Sequence, residues 1–225
     1  MKLLAIESAT ATCSVALLVD GQIEERLVEA AREHTQHLLP MVDGLLSEAG
    51  VALSGLDALV VGQGPGAFTG LRVAVGVAQG LAFGADIPVV PVSSLAVLAQ
   101  GVFRQYGHEN VLAALDARMA EVYWGVMGLQ DSCMVALEPE CVCAPEQLSV
   151  PTGTRWYAAG PGWAEYGDRI VAATQVQIAG MDAALRPRAR DALALGERAF
   201  RAEQYVTAEQ ALPRYLRNTV AWQRR

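Results

Sequence analysis

The stretches LLAIESATATCSVALLV (residues 3–19) and VLAALDARMAEVYWGVM (residues 111–127) share one layout: an apolar strand, an acid at its end, a short turn and a second apolar strand. Glu7 and Asp116 hold the matching acidic places in the two stretches. A repeat of this kind is the mark of a duplicated unit, in which each copy opens its own sheet with a hairpin. The chain therefore reads as two halves built to one plan, the alternative being two unrelated hairpins within one α/β protein.

Outward from the first stretch, Asp20-Gly21 turns the chain into a third strand, QIEERLVE (22–29). Beyond it, Leu38, Leu39, Met41, Val42, Leu45, Leu46 and Ala49 cover one face of a helix expected over 35–49. Gly50 stops that helix, and Pro40 must sit in its first turn or kink it. Next come a strand ALVVG (58–62), a glycine-rich loop, a helix to about Gly84, a strand IPVVPV (87–92) and a helix capped by Ser93 or Ser94. The order is βββαβαβα. Together with the repeat it predicts an α/β protein of two ribonuclease-H-like lobes, of the actin and sugar-kinase type, divided into 1–107 and 108–225. The second lobe is expected to be smaller and degenerate. Its CMVAL (133–137) reads as a strand, PTGTRW (151–156) and AAGPGW (158–163) as turns, and the stretch from Arg188 to about Tyr205 as a helix. An arginine-bearing tail, PRYLRNTVAWQRR (213–225), can return to the first lobe.

A 225-residue chain that is 52% hydrophobic can bury one or two cores, so nothing in it reads as disordered. The N-terminus lacks the apolar core and small-residue cleavage site of a secretory signal, and charges interrupt every long apolar run, which places the protein in the cytoplasm and off the membrane. Cys13, Cys133, Cys141 and Cys143 form no CxxC pair, and Cys141 and Cys143 are two apart in an extended-looking segment, so free buried thiols are expected. The net charge of −7 argues against a broad phosphate-binding surface. Arg214, Arg217, Arg224 and Arg225 form the one concentrated basic segment, so contacts to RNA would be weak or come through another chain.

The loop GQGPGAFTGLR (62–72) has the setting of a phosphate cradle but not its chemistry. A P-loop ends in Gly-Lys-Ser/Thr, whereas this one ends in FTGLR. Gly64, Gly66 and Gly70 space as GxGxxxG, not GxGxxG, and the next strand carries no acid. Small residues instead form two ridges along the following helix, Gly66, Gly70, Ala74, Ala78 and Ala82 on one and Gly76, Gly80 and Gly84 on the other. Each interior glycine costs about 1 kcal/mol relative to alanine, so close packing on two sides must offset it. The sheet supplies one cover; the neighbouring helix, a partner chain or burial within the monomer supplies the other. His34 and His37 are three apart, with Glu33 the only nearby third ligand, which does not make a metal set. Glu7 and Asp116 admit two readings, a facing acid/base or metal pair and buried strand ends bonded to turn amides; we adopt the second.

Five blocks carry a family resemblance: IESATATCSVAL, REHTQHLLP, GQGPGAFTGLRVAVGVAQGLA, ALDARMAEVYW and YLRNTVAW. Together they span nearly the whole chain and resemble the bacterial TsaB (YeaZ) family of tRNA threonylcarbamoyladenosine synthesis. The resemblance implies two actin-like lobes and a role as a non-catalytic scaffold or activating subunit beside a catalytic paralogue, TsaD, with an ATPase, TsaE, as a further partner; a homodimer is expected when the chain is alone. That paralogue carries an HxxxH metal motif, where this chain has HTQH, so no catalytic residue, metal or cofactor is assigned. The expected partner interface comprises His34, Leu38, Met41, Val42, Leu45, Gly66, Phe68, Gly70, Arg72, Ala74, Ala78 and Gly80. The alternatives are an ATP-hydrolysing or phosphotransfer enzyme of the actin-like superfamily and a metallopeptidase-like hydrolase; the missing lysine and metal pair disfavour both.

Overall fold

Two mixed sheets face each other across a shared layer of helices in the computed structural model, which describes residues 1–29 and 34–217. The first sheet contains β1 (Lys2–Glu7), β2 (Thr12–Val19), β3 (Gln22–Glu29), β4 (Ala58–Gly64) and β5 (Val89–Ser93), in the order β3-β2-β1-β4-β5. The second contains β6 (Asn110–Asp116), β7 (Val122–Gln130), β8 (Cys133–Ala136), β10 (Trp156–Ala159) and β11 (Ile178–Asp182), in the order β11-β10-β6-β7-β8, with the short β9 (Cys141–Cys143) added to β7. In each sheet the opening three strands pair antiparallel and the last two run parallel to the first. With β9 set aside, the two strand orders are the same path, so the duplicated hairpins begin duplicated ribonuclease-H-like lobes.

The near-continuous apolar runs of β1, β2 and β4 follow from cover on both faces, as central strands of such sheets require. On the outer face lie α1 (His34–Ala49) and α2 (Phe68–Ala85). They form one core with Leu4, Ile6, Val15, Leu17, Leu59 and Val61. The inner face meets α3 (Ser94–Tyr106) and α5 (Ala189–Arg201), which lie between the two sheets and join them through the largest core. The second sheet's far face is covered by α4 (Pro161–Thr174), anchored by Trp163, Tyr166 and Ile170.

Burial of α5 against the first lobe is tight. A Cβ at Gly196 would stand 2.3 Å from Val60, so only glycine lets this helix approach β4. Arg104 of α3 grips the buried Asp191 of α5 with two hydrogen bonds of 2.6 and 3.1 Å, and Arg188 pairs with Glu25 of β3. The last helix thus belongs, by its contacts, to the first sheet as much as to the second half of the sequence.

Two local expectations need correction. The segment read as the turn AAGPGW is the end of β10 followed by α4. Gly160 and Pro161 mark the helix start rather than a loop, since proline is favoured at a first helical position. The helix expected to reach Tyr205 stops at Arg201, after which the chain turns through Glu203 with positive φ. Of the two places open to Pro40, the chain takes the one inside α1, beyond its first turn.

Candidate docking face and a buried carboxyl

The outer helices turn opposite sides to the core and to solvent. In α1, Leu38, Met41, Val42 and Leu45 are buried, and in α2 the ridge Gly70, Ala74, Ala78 and Ala82 is buried against the sheet. Sterics fix that choice. A Cβ at Gly70 would lie 2.1 Å from the carbonyl oxygen of Ser8, and one at Gly66 would lie 2.4 Å from that of Ala9. These residues let the start of α2 rest on the β1–β2 turn. Leu38, Met41, Val42, Leu45, Gly70, Ala74 and Ala78, expected from the sequence at a partner interface, pack in the chain's own core.

The second ridge points outward. A Cβ at Gly76, Gly80 or Gly84 would meet nothing within 4 Å. Phe83 beside them is 72% exposed, and Leu39 of α1 and Phe68 at the start of α2 are also exposed. Gly76, Gln79, Gly80 and Phe83 line one side of an open groove of about 520 Å³, closed on the other side by Ala208 and Glu209. Arg72 projects from the same face, its guanidinium 3.8 Å above the Phe68 ring while Nε donates to the Tyr215 hydroxyl at 2.9 Å. Tyr215 was not identified by sequence pattern, because its contact with Arg72 spans most of the chain.

α2 has the length and composition of a membrane span, but it carries Arg72 and buries its inner ridge on the sheet. His34, at the start of α1, is buried with Nδ1 lacking a hydrogen-bond partner. Burial first and the neighbouring His37 second hold its imidazole below the usual range. Glu33 lies outside the described residues. Among the described residues, no cluster of three or more His, Cys, Asp or Glu side chains is placed to hold a metal ion. The four cysteines are free thiols; Cys13 and Cys133 are buried as expected, whereas Cys141 and Cys143 are only half-buried, their Sγ atoms 4.0 Å apart.

Glu7 closes β1 in full burial. Its Oε1 accepts the Ala9 N–H at 2.7 Å and its Oε2 accepts the Ser94 hydroxyl at 2.9 Å. Gly62 makes the room, since a Cβ there would stand 2.0 Å from Oε2. Burial pushes the carboxyl up to about 7, against the opposing pull of the Ala9, Ser94 and Ser8 hydrogen bonds. Asp116 ends β6 in the matching way, accepting the Arg118 N–H at 2.8 Å and the Tyr166 hydroxyl at 3.2 Å, with the Arg118 guanidinium alongside. The two acids share no partner, and each is occupied by its own hairpin turn and nearest helix.

A third carboxyl, Glu140, could not be found by motif because nothing local marks it. It is buried between the lobes, where it accepts from the Ser93 hydroxyl and pairs with Arg214 at 2.8 Å. Burial raises its pKa, against the Ser93 hydrogen bond and the Arg214 charge.

The repeated sheet order, one acid-ended hairpin per lobe and a helix layer between the sheets define a protein of two ribonuclease-H-like lobes with an open helical face on the first. A family model for TsaD, tRNA N6-adenosine threonylcarbamoyltransferase, matches residues 28–223. The tRNA threonylcarbamoyladenosine biosynthesis protein TsaB of Escherichia coli K12 is 41% identical, covering 100% of this chain and 98% of the relative. The protein of the same name from Haemophilus influenzae is 40% identical, covering 100% and 97%. The solved structure of YeaZ from Pseudomonas aeruginosa superposes with a TM-score of 0.91 at 49% identity, covering 96% of this chain and 99% of that one. The chain belongs to the TsaB (YeaZ) family.

Proposed function

We infer that this protein is a non-catalytic subunit of tRNA threonylcarbamoyladenosine synthesis, acting in the cytoplasm beside a TsaD-type transferase and a TsaE-type ATPase, with a homodimer as its form when alone. The observation that carries the docking part is the outward glycine ridge: Gly76, Gly80 and Gly84 pack against nothing in their own chain, yet each costs α2 about 1 kcal/mol relative to alanine. A partner helix seated on Gly76 and Gly80, with Phe83 and Leu39 at its edges, supplies the missing cover. The outward docking set is then Phe68, Arg72 and Gly80, while Gly66 packs on the β1–β2 turn and His34 supports the start of α1 from within.

Support for a non-catalytic role comes from the strand ends. Both oxygens of Glu7 are engaged and the group is sealed from solvent. The C-terminal end of β4 is crossed by the C-terminal segment, whose Arg214 N–H donates to Gln63 O at 2.8 Å. Arg214 and Arg217 are paired with Glu140 and Glu121, so these two tail arginines are neutralised rather than offered to RNA phosphates. Arg224 and Arg225 lie outside the described residues.

Reconstituted threonylcarbamoylation of tRNA, with each subunit omitted in turn, tests the reading. Modification should require this chain together with the transferase, and this chain alone should yield none. Full modification without it, or modification by it alone, contradicts the proposal.

A further inference from the structure

After α5 the chain runs back over the first lobe with little apolar burial to hold it. Ala208 and Ala211 are buried, but Leu212 and Tyr215 are exposed. Polar contacts hold it instead. Val206 exchanges two 2.9 Å backbone bonds with Val89 of β5, Gln79 of α2 donates to the Ala211 carbonyl at 2.8 Å, and Arg214 N–H donates to Gln63 O. Tyr215 accepts from Arg72 and lies with its ring centroid 5.6 Å from that of Phe68. At the far end the partners change lobe: Arg214 pairs with Glu140, in the β8–β9 connection, and Arg217 with Glu121, at the start of β7.

We propose that residues 206–217 form an interlobe latch that shapes the docking face: the segment walls the groove beside Gly80 and clamps Arg72 onto Phe68, while Glu121 and Glu140 of the second lobe hold it in place. This rests on the docking reading above. Ala208 and Glu209 form the groove's second wall, so the groove exists only while the segment is seated. A segment held by hydrogen bonds and ion pairs over little buried apolar area opens at lower free energy than the core beneath it. Glu140 is the firm anchor, since its side chain is only 2% exposed and has Arg214, itself 44% exposed, as its counter-charge. Glu121 is the looser one, its side chain 35% exposed. Contacts at Arg72 and contacts on the second lobe are thereby linked through twelve residues of one strand of chain, without a change in either core.

The test uses the full chain in four variants: Glu121→Gln with Glu140→Gln, Tyr215→Phe, Glu121→Arg alone, and the charge exchange Glu121→Arg with Arg217→Glu. Hydrogen–deuterium exchange at the Val206 and Arg214 amides should accelerate about tenfold or more in the double glutamine variant, with β1 and β4 unchanged. Its affinity for the TsaD paralogue should fall about fivefold or more, and Tyr215→Phe, which frees Arg72 while keeping the ring, should weaken the same pairing. The charge exchange should restore both readouts relative to Glu121→Arg alone. Unchanged exchange, or faster exchange with unchanged affinity in both the double glutamine and Tyr215→Phe variants, overturns the latch. Gly80→Arg serves as the separate control: if that variant still pairs, the docking reading fails, and the exchange measurements continue to judge the latch. Should the double variant not fold, Tyr215→Phe and the charge exchange carry the test.

Discussion

At Glu7 the balance between desolvation and hydrogen bonding is written into one side chain. Two good donors reach it, yet burial still dominates and raises the carboxyl from an ordinary 4.5 to about 7. The folded state therefore binds this proton more tightly than the unfolded chain does. That stabilisation is complete below pH 4.5 and is lost as the pH rises through 7. Its full span is roughly 3 kcal/mol, at about 1.4 kcal/mol for each pH unit between the two values. Glu7→Gln keeps an acceptor for the Ala9 N–H and cannot ionise. Urea unfolding of both proteins from pH 5 to 8 should show the variant less stable at pH 5 and the gap closing toward pH 8. Parallel stability curves would show that the carboxyl is ionised throughout and that its surroundings stabilise the charge. The acid at this place was legible from the repeat alone, but its protonation was not, because Gly62 and Ser94 come from distant segments.

Among the elements, α2 shows where pattern reading stops. Both small-residue ridges are visible in the sequence, and period alone gives no reason to turn one inward. The carbonyls of Ser8 and Ala9 decide it by lying where Cβ atoms at Gly70 and Gly66 would stand, a contact between residues some sixty positions apart. α4 was missed for the opposite reason: its glycines and proline resemble a turn, while its anchors Trp163, Tyr166 and Ile170 are spaced for one helical face. The orientation of α2 separates two substitutions. Ala78→Arg forces a long charged side chain into a fully buried site and should cost several kcal/mol, commonly about 3–5, abolishing a cooperative melt. Gly80→Arg enters open space and should leave the melting curve intact while removing association; Gly80→Ala should raise stability by about 0.5–1 kcal/mol. Calorimetry with sedimentation of each variant separates these outcomes, and an intact melt for Ala78→Arg would mean the ridges are assigned the wrong way round.

Over the whole molecule, duplication was the strongest signal in the sequence, because two acid-ended hairpins must each begin a sheet. What it could not disclose was how the halves interlock. α5 lies late in the chain but packs on β1, β2, β4 and β5, so its amphipathic pattern pointed to a core without saying whose. The consequence is that α3 and α5 occupy the space between the lobes, and the free face of the first lobe is left on the outside, where α1 and α2 lie side by side. If this surface carries both proposed pairings, a second copy of the chain and the related subunit compete for it. An isologous pairing of the α1 and α2 faces around a twofold axis would bury a standard interface of roughly 1,600 Å². The homodimer and the heterodimer with the TsaD paralogue should then be mutually exclusive, and the heterodimer must be the tighter for synthesis to proceed. In sedimentation velocity, adding the paralogue to the homodimer should convert it stoichiometrically to a one-to-one species, with no complex containing two copies of this chain joined through α2. Gly80→Arg should abolish both species together. A stable assembly in which the paralogue adds to an intact α2-mediated homodimer would place the second partner on another face, and the outward glycine ridge would then serve self-association alone.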